Sequence, residues 1–218
     1  MKTDAELRHD VEQELATDPS VEPSDIGVTV KGGVVTLTGQ VSSYHAKFQA
    51  QTIVKRLHGV RGLANEMTVV PAGAGPTDTA LAEAALAALK WTAAVPAECI
   101  KVIVNQGQIT LEGKVPRSHQ RVAAEEAVRR LEGLKGLMNL IAVDPPSAID
   151  TEIVKRRITE ALHRRAQVDA ERISVSVHDD TVMLDGDVGS MAEGDEAESA
   201  AWGVPGVRYV ENNLVVKV

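Results

Sequence analysis

The side chains that could do chemistry here are six histidines, a single cysteine, a cluster of aspartates and a run of basic residues. The histidines are His9, His45, His58, His119, His163 and His178. No pair has the His-x-x-x-His or Cys/His spacing that places two zinc ligands on one face, so solvent-facing helix and turn positions are expected. With Cys99 as the only cysteine, no internal disulfide or cysteine-based metal knuckle can form. Its setting in Cys99-Ile100-Lys101-Val102 predicts a buried structural thiol. His178-Asp179-Asp180 with Asp185 and Asp187 would suit a hard cation, but EF-hand spacing is absent. A polar hairpin turn accounts for the first three. Nucleophile-elbow, Walker A and dinucleotide fingerprints are missing, and no carboxylate pair recurs in an apolar setting that would split its pKa values. The expectation is a non-enzyme without cofactor or metal.

Charge narrows the partners. The net charge of −8 argues against general nucleic-acid binding, which needs a basic surface, and with 2% aromatics there is little to stack bases on. The charge is uneven: residues 1–70 carry −2, residues 71–143 carry +1 and residues 144–218 carry −7. Within that acidic last third lie Lys155, Arg156, Arg157, Arg164 and Arg165, on one expected helix. Beside apolar residues they are the candidate contacts for anionic lipid headgroups. The competing arrangement pairs them with the acidic helix bearing Glu193, Asp195, Glu196 and Glu198, as solvated surface ion pairs. The overall negative charge favours that second arrangement.

No apolar run approaches the ~20 residues of a membrane helix; the stretch from Ala80 to Val95 is broken by Glu83 and Lys90 and reads as an amphipathic helix. The N-terminal Met1-Lys2-Thr3-Asp4-Ala5-Glu6 has no apolar signal region, which predicts a cytoplasmic protein. Trp91 and Trp202 are expected to fill gaps between modules.

The elements that carry these residues form a threefold repeat. Val35-Thr36-Leu37-Thr38-Gly39-Gln40-Val41 aligns without gaps with Ile109-Thr110-Leu111-Glu112-Gly113-Lys114-Val115, 74 residues on, and with Val182-Met183-Leu184-Asp185-Gly186-Asp187-Val188, a further 73 on. In the same frame Gly59, Gly133 and Gly206 fall 20 residues after the first glycine, and Asn65, Asn139 and Asn212 six residues later. The first-helix residues Leu7/Val11/Leu15 match Leu81/Ala85/Leu89 and Val154/Ile158/Leu162. His45 and His119 are equivalent, and Asp195 stands where the earlier copies have Phe48 and Val122.

Each copy reads as helix, strand, turn, strand, helix, strand. The first helix has apolar residues every four positions, capped in the first copy by Thr3 with Glu6. The first strand alternates with period two: Ile26/Val28/Val30, Ile100/Val102/Val104 and Ile173/Val175/Val177. Turns follow at Lys31-Gly32-Gly33, Asn105-Gln106-Gly107 and His178-Asp179-Asp180. Ser43, Ser118 and Ser190 are the expected N-caps of the second helix, whose buried stripe in copy two should hold Val122, Val128 and Leu131 with Ala123, Ala124 and Ala127. The last strands run Leu63 to Val70, Leu137 to Val143 and Tyr209 to Val218. Pro/Gly-rich linkers, Pro71-Ala72-Gly73-Ala74-Gly75-Pro76 and Asp144-Pro145-Pro146-Ser147, divide the chain into modules 1–70, 77–143 and 148–218. The predicted class is α+β: three tandem αββαβ modules, each a three-stranded sheet backed by two helices. In this frame Gly39, Gly113 and Gly186 are expected to serve backbone geometry, and the three asparagines to bond nearby backbone.

The pattern Leu-x-Gly-x-Val, Ser-capped helix, then Gly-Val/Leu-x-x-Val/Leu-x-Asn-x-Leu, seen in Leu184-Asp185-Gly186-Asp187-Val188 and Gly206-Val207-Arg208-Tyr209-Val210-Glu211-Asn212-Asn213-Leu214 and again around Gly39/Asn65 and Gly113/Asn139, resembles the BON domain family. The resemblance covers nearly the whole chain, three times over. It implies the αββαβ fold and a non-catalytic binding role: association with phospholipid, a membrane surface or envelope components in osmotic-stress response, often in the periplasm. A cytoplasmic scaffold or sensor for a partner protein or small ion is the alternative.

Overall fold

A hairpin extended by one parallel strand is the unit of this structure, a computed structural model that describes residues 2–217 apart from 20, 22–24, 72, 74, 146–150, 166–167 and 179. Outside it lie several features named above: Ala72 and Ala74 of one linker, Pro146 and Ser147 of the other, Asp179, the start of the third module at 148, and Val218.

The described elements run α1 (Asp4–Thr17), β1 (Ile26–Lys31), β2 (Val34–Val41), α2 (Tyr44–Arg56), β3 (Gly62–Asn65), β4 (Thr68–Val69), α3 (Asp78–Trp91), β5 (Ile100–Asn105), β6 (Gln108–Val115), α4 (Ser118–Val128), β7 (Gly136–Val143), α5 (Thr151–His163), β8 (Ile173–His178), β9 (Thr181–Val188), α6 (Met191–Trp202) and β10 (Tyr209–Val216). The fold is α+β, with two helices and a small sheet in each repeat. The sheet order is β1-β2-β3 with β4 also on β2, β5-β6-β7, and β8-β9-β10. The first pairing of each sheet is antiparallel, as a short turn requires. The second is parallel, because the chain crosses over through a helix before returning. Two compact units contain these elements: residues 1–39, 49–66 and 146–218 in one, 40–48 and 67–145 in the other.

Local chemistry explains the elements. Thr3 accepts from the Glu6 amide while Glu6 accepts from the Thr3 amide, closing the expected capping box of α1. Those hydrogen bonds hold the Glu6 carboxyl below its ordinary pKa. The apolar residues four apart are buried in α1, α3 and α5 alike, and in the second and third repeats they face Ile109/Leu111 and Val182/Leu184 of the central strands. Ser43 and Ser190 accept from the amides three residues on, as N-caps do. The hairpin turns at Gly32-Gly33 and Gln106-Gly107 have positive φ at both central residues, the type I′ geometry that matches strand twist.

Five expectations are corrected. Cys99 is exposed: it ends a 3-10 turn at Ala97–Cys99, and inward alternation begins at the next residue, Ile100. Trp91 is 88% exposed and fills no gap. Val122 is exposed, while Ala124 and Val128 carry the buried stripe of α4 and Ala123, Ala127 and Leu131 pack at its margin. Ser118 is the first residue of α4, and Arg117 takes the cap position. The last strand of repeat one is interrupted at Glu66 and Met67, giving β3 and β4.

The position shared by Phe48, Val122 and Asp195 turns out to face outward from its own module. In one unit the Arg129 guanidinium lies 3.8 Å from the centroid of the Phe48 ring; in the other, Lys55 Nζ is 2.7 Å from Asp195 Oδ2. Arg129 and Lys55 are themselves repeat-equivalent. One pair of positions therefore forms a cation–π contact in one place and an ion pair in the other. Asp195 is half exposed, so the coupling between Lys55 and Asp195 should be at most about 1 kcal/mol. A double-mutant cycle with Lys55→Ala and Asp195→Ala, read by urea denaturation, checks this; the charge swap Lys55→Asp/Asp195→Lys should restore most of the loss of either single reversal.

Candidate functional site

Helix α5 is amphipathic by necessity: Val154, Ile158 and Leu162 go into the core of the third repeat, so the residues between them face water. Lys155, Arg156, Arg157 and Arg164 are exposed, and Arg165 is half-buried. Arg165 pairs with Glu196 on α6, and Arg156 Nε lies 3.9 Å from Glu160 Oε1, one turn on. Lys155, Arg157 and Arg164 form no ion pair with a described residue. Of the two arrangements open to the basic residues, the inter-helix ion pair is realised at Arg165 alone among them; the other three cationic side chains face solvent.

The acids of α6 are occupied. Glu193 accepts from the amides of Asp169 at 2.9 Å and Gly189 at 2.6 Å. Asp195 holds Lys55, Glu196 holds Arg165, and Glu198 accepts from Asn212 at 3.1 Å and from the Trp202 indole at 3.3 Å. The described aspartates of the third hairpin are likewise matched: Asp187 with Lys217 at 2.5 Å, Asp180 with Arg208 at 3.5 Å, and Asp185 with the Asn213 side-chain amide at 3.1 Å. Among the described residues no group of three or more His, Cys, Asp or Glu side chains could hold a metal ion.

The signature residues are brought to two places. Gly39, Gly113 and Gly186 sit on the central strands, each opposite the first residue of the hairpin partner. Gly59, Gly133 and Gly206 lie in the turns that lead to the last strand. The asparagines reach from that strand back to the second helix. Asn139 Nδ2 donates to Arg121 O and to Glu125 Oε2, both at 3.1 Å, and its Oδ1 accepts from the Ile141 amide at 3.2 Å. Asn212 repeats this with Gly194 O, Glu198 Oε2 and the Leu214 amide, and Asn65 donates to Gln51 Oε1.

Two features escaped the reading of the sequence. Asp4 accepts from the amides of Gly32 and Gly33, and Asp78 from those of Gln106 and Gly107, so the first helix clamps the hairpin turn. The signal was present, since Asp4 and Asp78 are 74 residues apart; the third repeat has Thr151 there instead. The second is the cluster around the start of α2. Burial pushes the Tyr44 phenol up, with Glu125 adding. Burial holds His45 down, with Arg130 and Arg129 adding.

No described helix is long and apolar enough to cross a membrane. The BON domain family model matches residues 3–71, 77–145 and 150–218. The chain is 28% identical to osmotically-inducible protein Y of Escherichia coli (strain K12) over 141 residues, which is 62% of this chain and 70% of that protein. A solved structure of CdsD, a structural protein of the type III secretion system of Chlamydia trachomatis, aligns over 96% of this chain and 91% of its own, with 16% identity and a TM-score of 0.28. A structure of the CdsD C-terminal domain aligns over the whole of both chains, at 16% identity and a TM-score of 0.27. The family model covers each of the three repeats, and the chain belongs to the BON domain family.

Proposed function

We propose that this chain is a non-catalytic binding protein of the osmotic-stress response, built from folding modules 1–70, 77–143 and 148–218, that associates with an anionic phospholipid surface through helix α5. The observation that carries this reading is the set of exposed cations on α5 and just after it, with Lys155, Arg157 and Arg164 lacking any acidic partner among the described residues. The rest of that repeat is strongly acidic. A cationic stripe kept there works against the field of its own module, which is the pattern of a contact surface for anions. Similarity to an osmotically inducible protein supports the stress assignment. The occupied carboxylates of α6 support a binding role: each already serves a cap, a pair or a latch.

Flotation with vesicles tests it. The protein should rise with vesicles of mixed phosphatidylcholine and phosphatidylglycerol at low salt and stay down with phosphatidylcholine alone. Each of Lys155, Arg157 and Arg164 changed to Gln should weaken binding by about five-fold, at roughly 1 kcal/mol per cation near the surface. Salt should abolish it as the Debye length falls to about 3 Å near 1 M. Failure to rise at low salt overturns the membrane reading and leaves a partner protein or a small ion as the ligand.

A further inference from the structure

The cations of α5 do not form an even stripe. Arg157 lies on α5 and Arg164 in the turn just after it, seven residues on. They border a cleft of about 570 Å³ between α5 and the end of α6. Arg165 lines the same cleft, anchored from the side by Glu196 on α6. The opposite wall is apolar and backbone-rich: Ala200, Gly203, Val204 and Pro205. Lys155 and Arg156, on the same helix, lie outside the cleft.

Arginine at the end of a helix has an ordinary use, since it offsets the negative end of the helix dipole. That accounts for Arg164 and Arg165, which follow His163, the last residue of α5. It does not account for Arg157, nearly two turns upstream, which makes no ion pair with a described residue. Nor is the cluster a legacy of the repeat. The positions equivalent to Arg157 and Arg164 hold Asp10 and Thr17 in the first copy and Ala84 and Trp91 in the second. The single acid lining the cleft, Glu160, is exposed and near Arg156.

We propose that this cleft binds a phosphate oxyanion carried on a small, partly apolar body. The phosphate sits between the guanidinium forks of Arg157 and Arg164, a geometry that arginine offers and lysine does not. Arg165, fixed by Glu196, borders the same space, and the body of the ligand lies against Val204 and Pro205. The inference deepens the lipid-surface reading and rests on it only for the sign of the ligand's charge. The phosphate can belong to a lipid headgroup or to a free phosphate ester, and the two sources separate experimentally.

The test titrates the full chain with glycerol 3-phosphate and with short-chain phosphatidylglycerol below its micelle concentration, read by amide chemical shifts, alongside vesicle flotation. Two double variants are compared, each removing two charges from exposed positions at or near the same helix: Arg157→Gln/Arg164→Gln and Lys155→Gln/Arg156→Gln. The first should weaken soluble phosphate binding by about ten-fold or more and the second by less than about two-fold, because bidentate pairs carry the geometry. Binding of glycerol 3-phosphate points to a free ester; binding of the short-chain lipid alone points to a headgroup. If soluble esters bind through the cleft and vesicles do not float, the cleft stands and the membrane reading falls. Equal losses in the two doubles, or flotation with no response to either soluble ester, overturns the cleft.

Discussion

Gly113→Ala should lower the stability of the second repeat by about 3 kcal/mol or more, one of the few single-methyl changes able to do so. At φ +151° the residue sits where an L side chain is strained, and a Cβ built there overlaps the carbonyl oxygen of Cys99. Neither partner can yield. Gly113 is on the central strand β6, between β5 and β7, paired with Ile100 and Ile141. The Cys99 carbonyl belongs to the 3-10 turn that delivers the chain into β5. Moving it shifts Ile100, a core residue 5% exposed. Gly39 and Gly186 meet the carbonyls of Asp25 and Arg172 in the same way, at φ +117° and +138°, so the cost should recur in each module. Thermal melting checks it: for a domain of this size the transition should fall by about 12 °C or more. Gly194→Ala in α6 is the control. Its Cβ would meet only Val188 at an ordinary 3.9 Å, and the gain in helix propensity should raise stability by up to about 1 kcal/mol. A Gly113→Ala chain that melts with the wild type would show that the carbonyl has room to move.

What the sequence disclosed and what it hid divide along a physical line. Features set by the chain's own neighbours were legible: helix periodicity, the Thr3–Glu6 box, the Ser43 and Ser190 caps, the hairpin turns. So were features that recur in the repeat frame, because three independent occurrences of Gly113 or Asn139 identify a backbone need without saying which atom imposes it. Side chains whose environment comes from another module were not legible. Val122 reads as part of the buried stripe of its helix, yet it is exposed, and its equivalent Phe48 is half-buried under Arg129, a residue of a different repeat. Asp195 looked like a break in an apolar pattern and is the same outward position with Lys55 across from it. Cys99 failed for a smaller reason: one residue of offset at a strand start reverses inside and outside. The basic cleft was half visible, since composition flagged the five cations on and beside α5. Only the packing of α5 against α6 separates Arg157 and Arg164 from Lys155 and Arg156.

Asn139→Ala should cost about 2 kcal/mol, the sum expected for a part-buried amide that loses two donated bonds and one accepted one with no replacement partner. Its reach should extend past its own strand. Glu125, which accepts from Asn139 through Oε2, accepts from Arg129 Nη2 through Oε1 at 2.9 Å, and Arg129 is the cation over Phe48. The chain of contacts is asparagine, carboxylate, guanidinium, ring. In the third repeat the same three positions read Asn212, Glu198 and Trp202, joined by the same kinds of bond. In the first they read Asn65, Gln51 and Lys55, where Asn65 donates to Gln51 and Lys55 pairs with Asp195. In the second repeat the asparagine thus fixes the rotamer of Glu125, which in turn holds Arg129, the residue that meets Phe48 of the first repeat. Asn139→Asp separates the roles: it keeps the acceptor for the Ile141 amide, removes the donor, and sets a second carboxylate against Glu125. That variant should be less stable than Asn139→Ala at neutral pH, because like charges then face each other across the strand and helix. A cycle combining Asn139→Ala with Phe48→Ala, read by denaturation, should return a coupling of about 0.5 kcal/mol or more, although the two side chains are joined only through Glu125 and Arg129. Strict additivity would confine the asparagine to its own module.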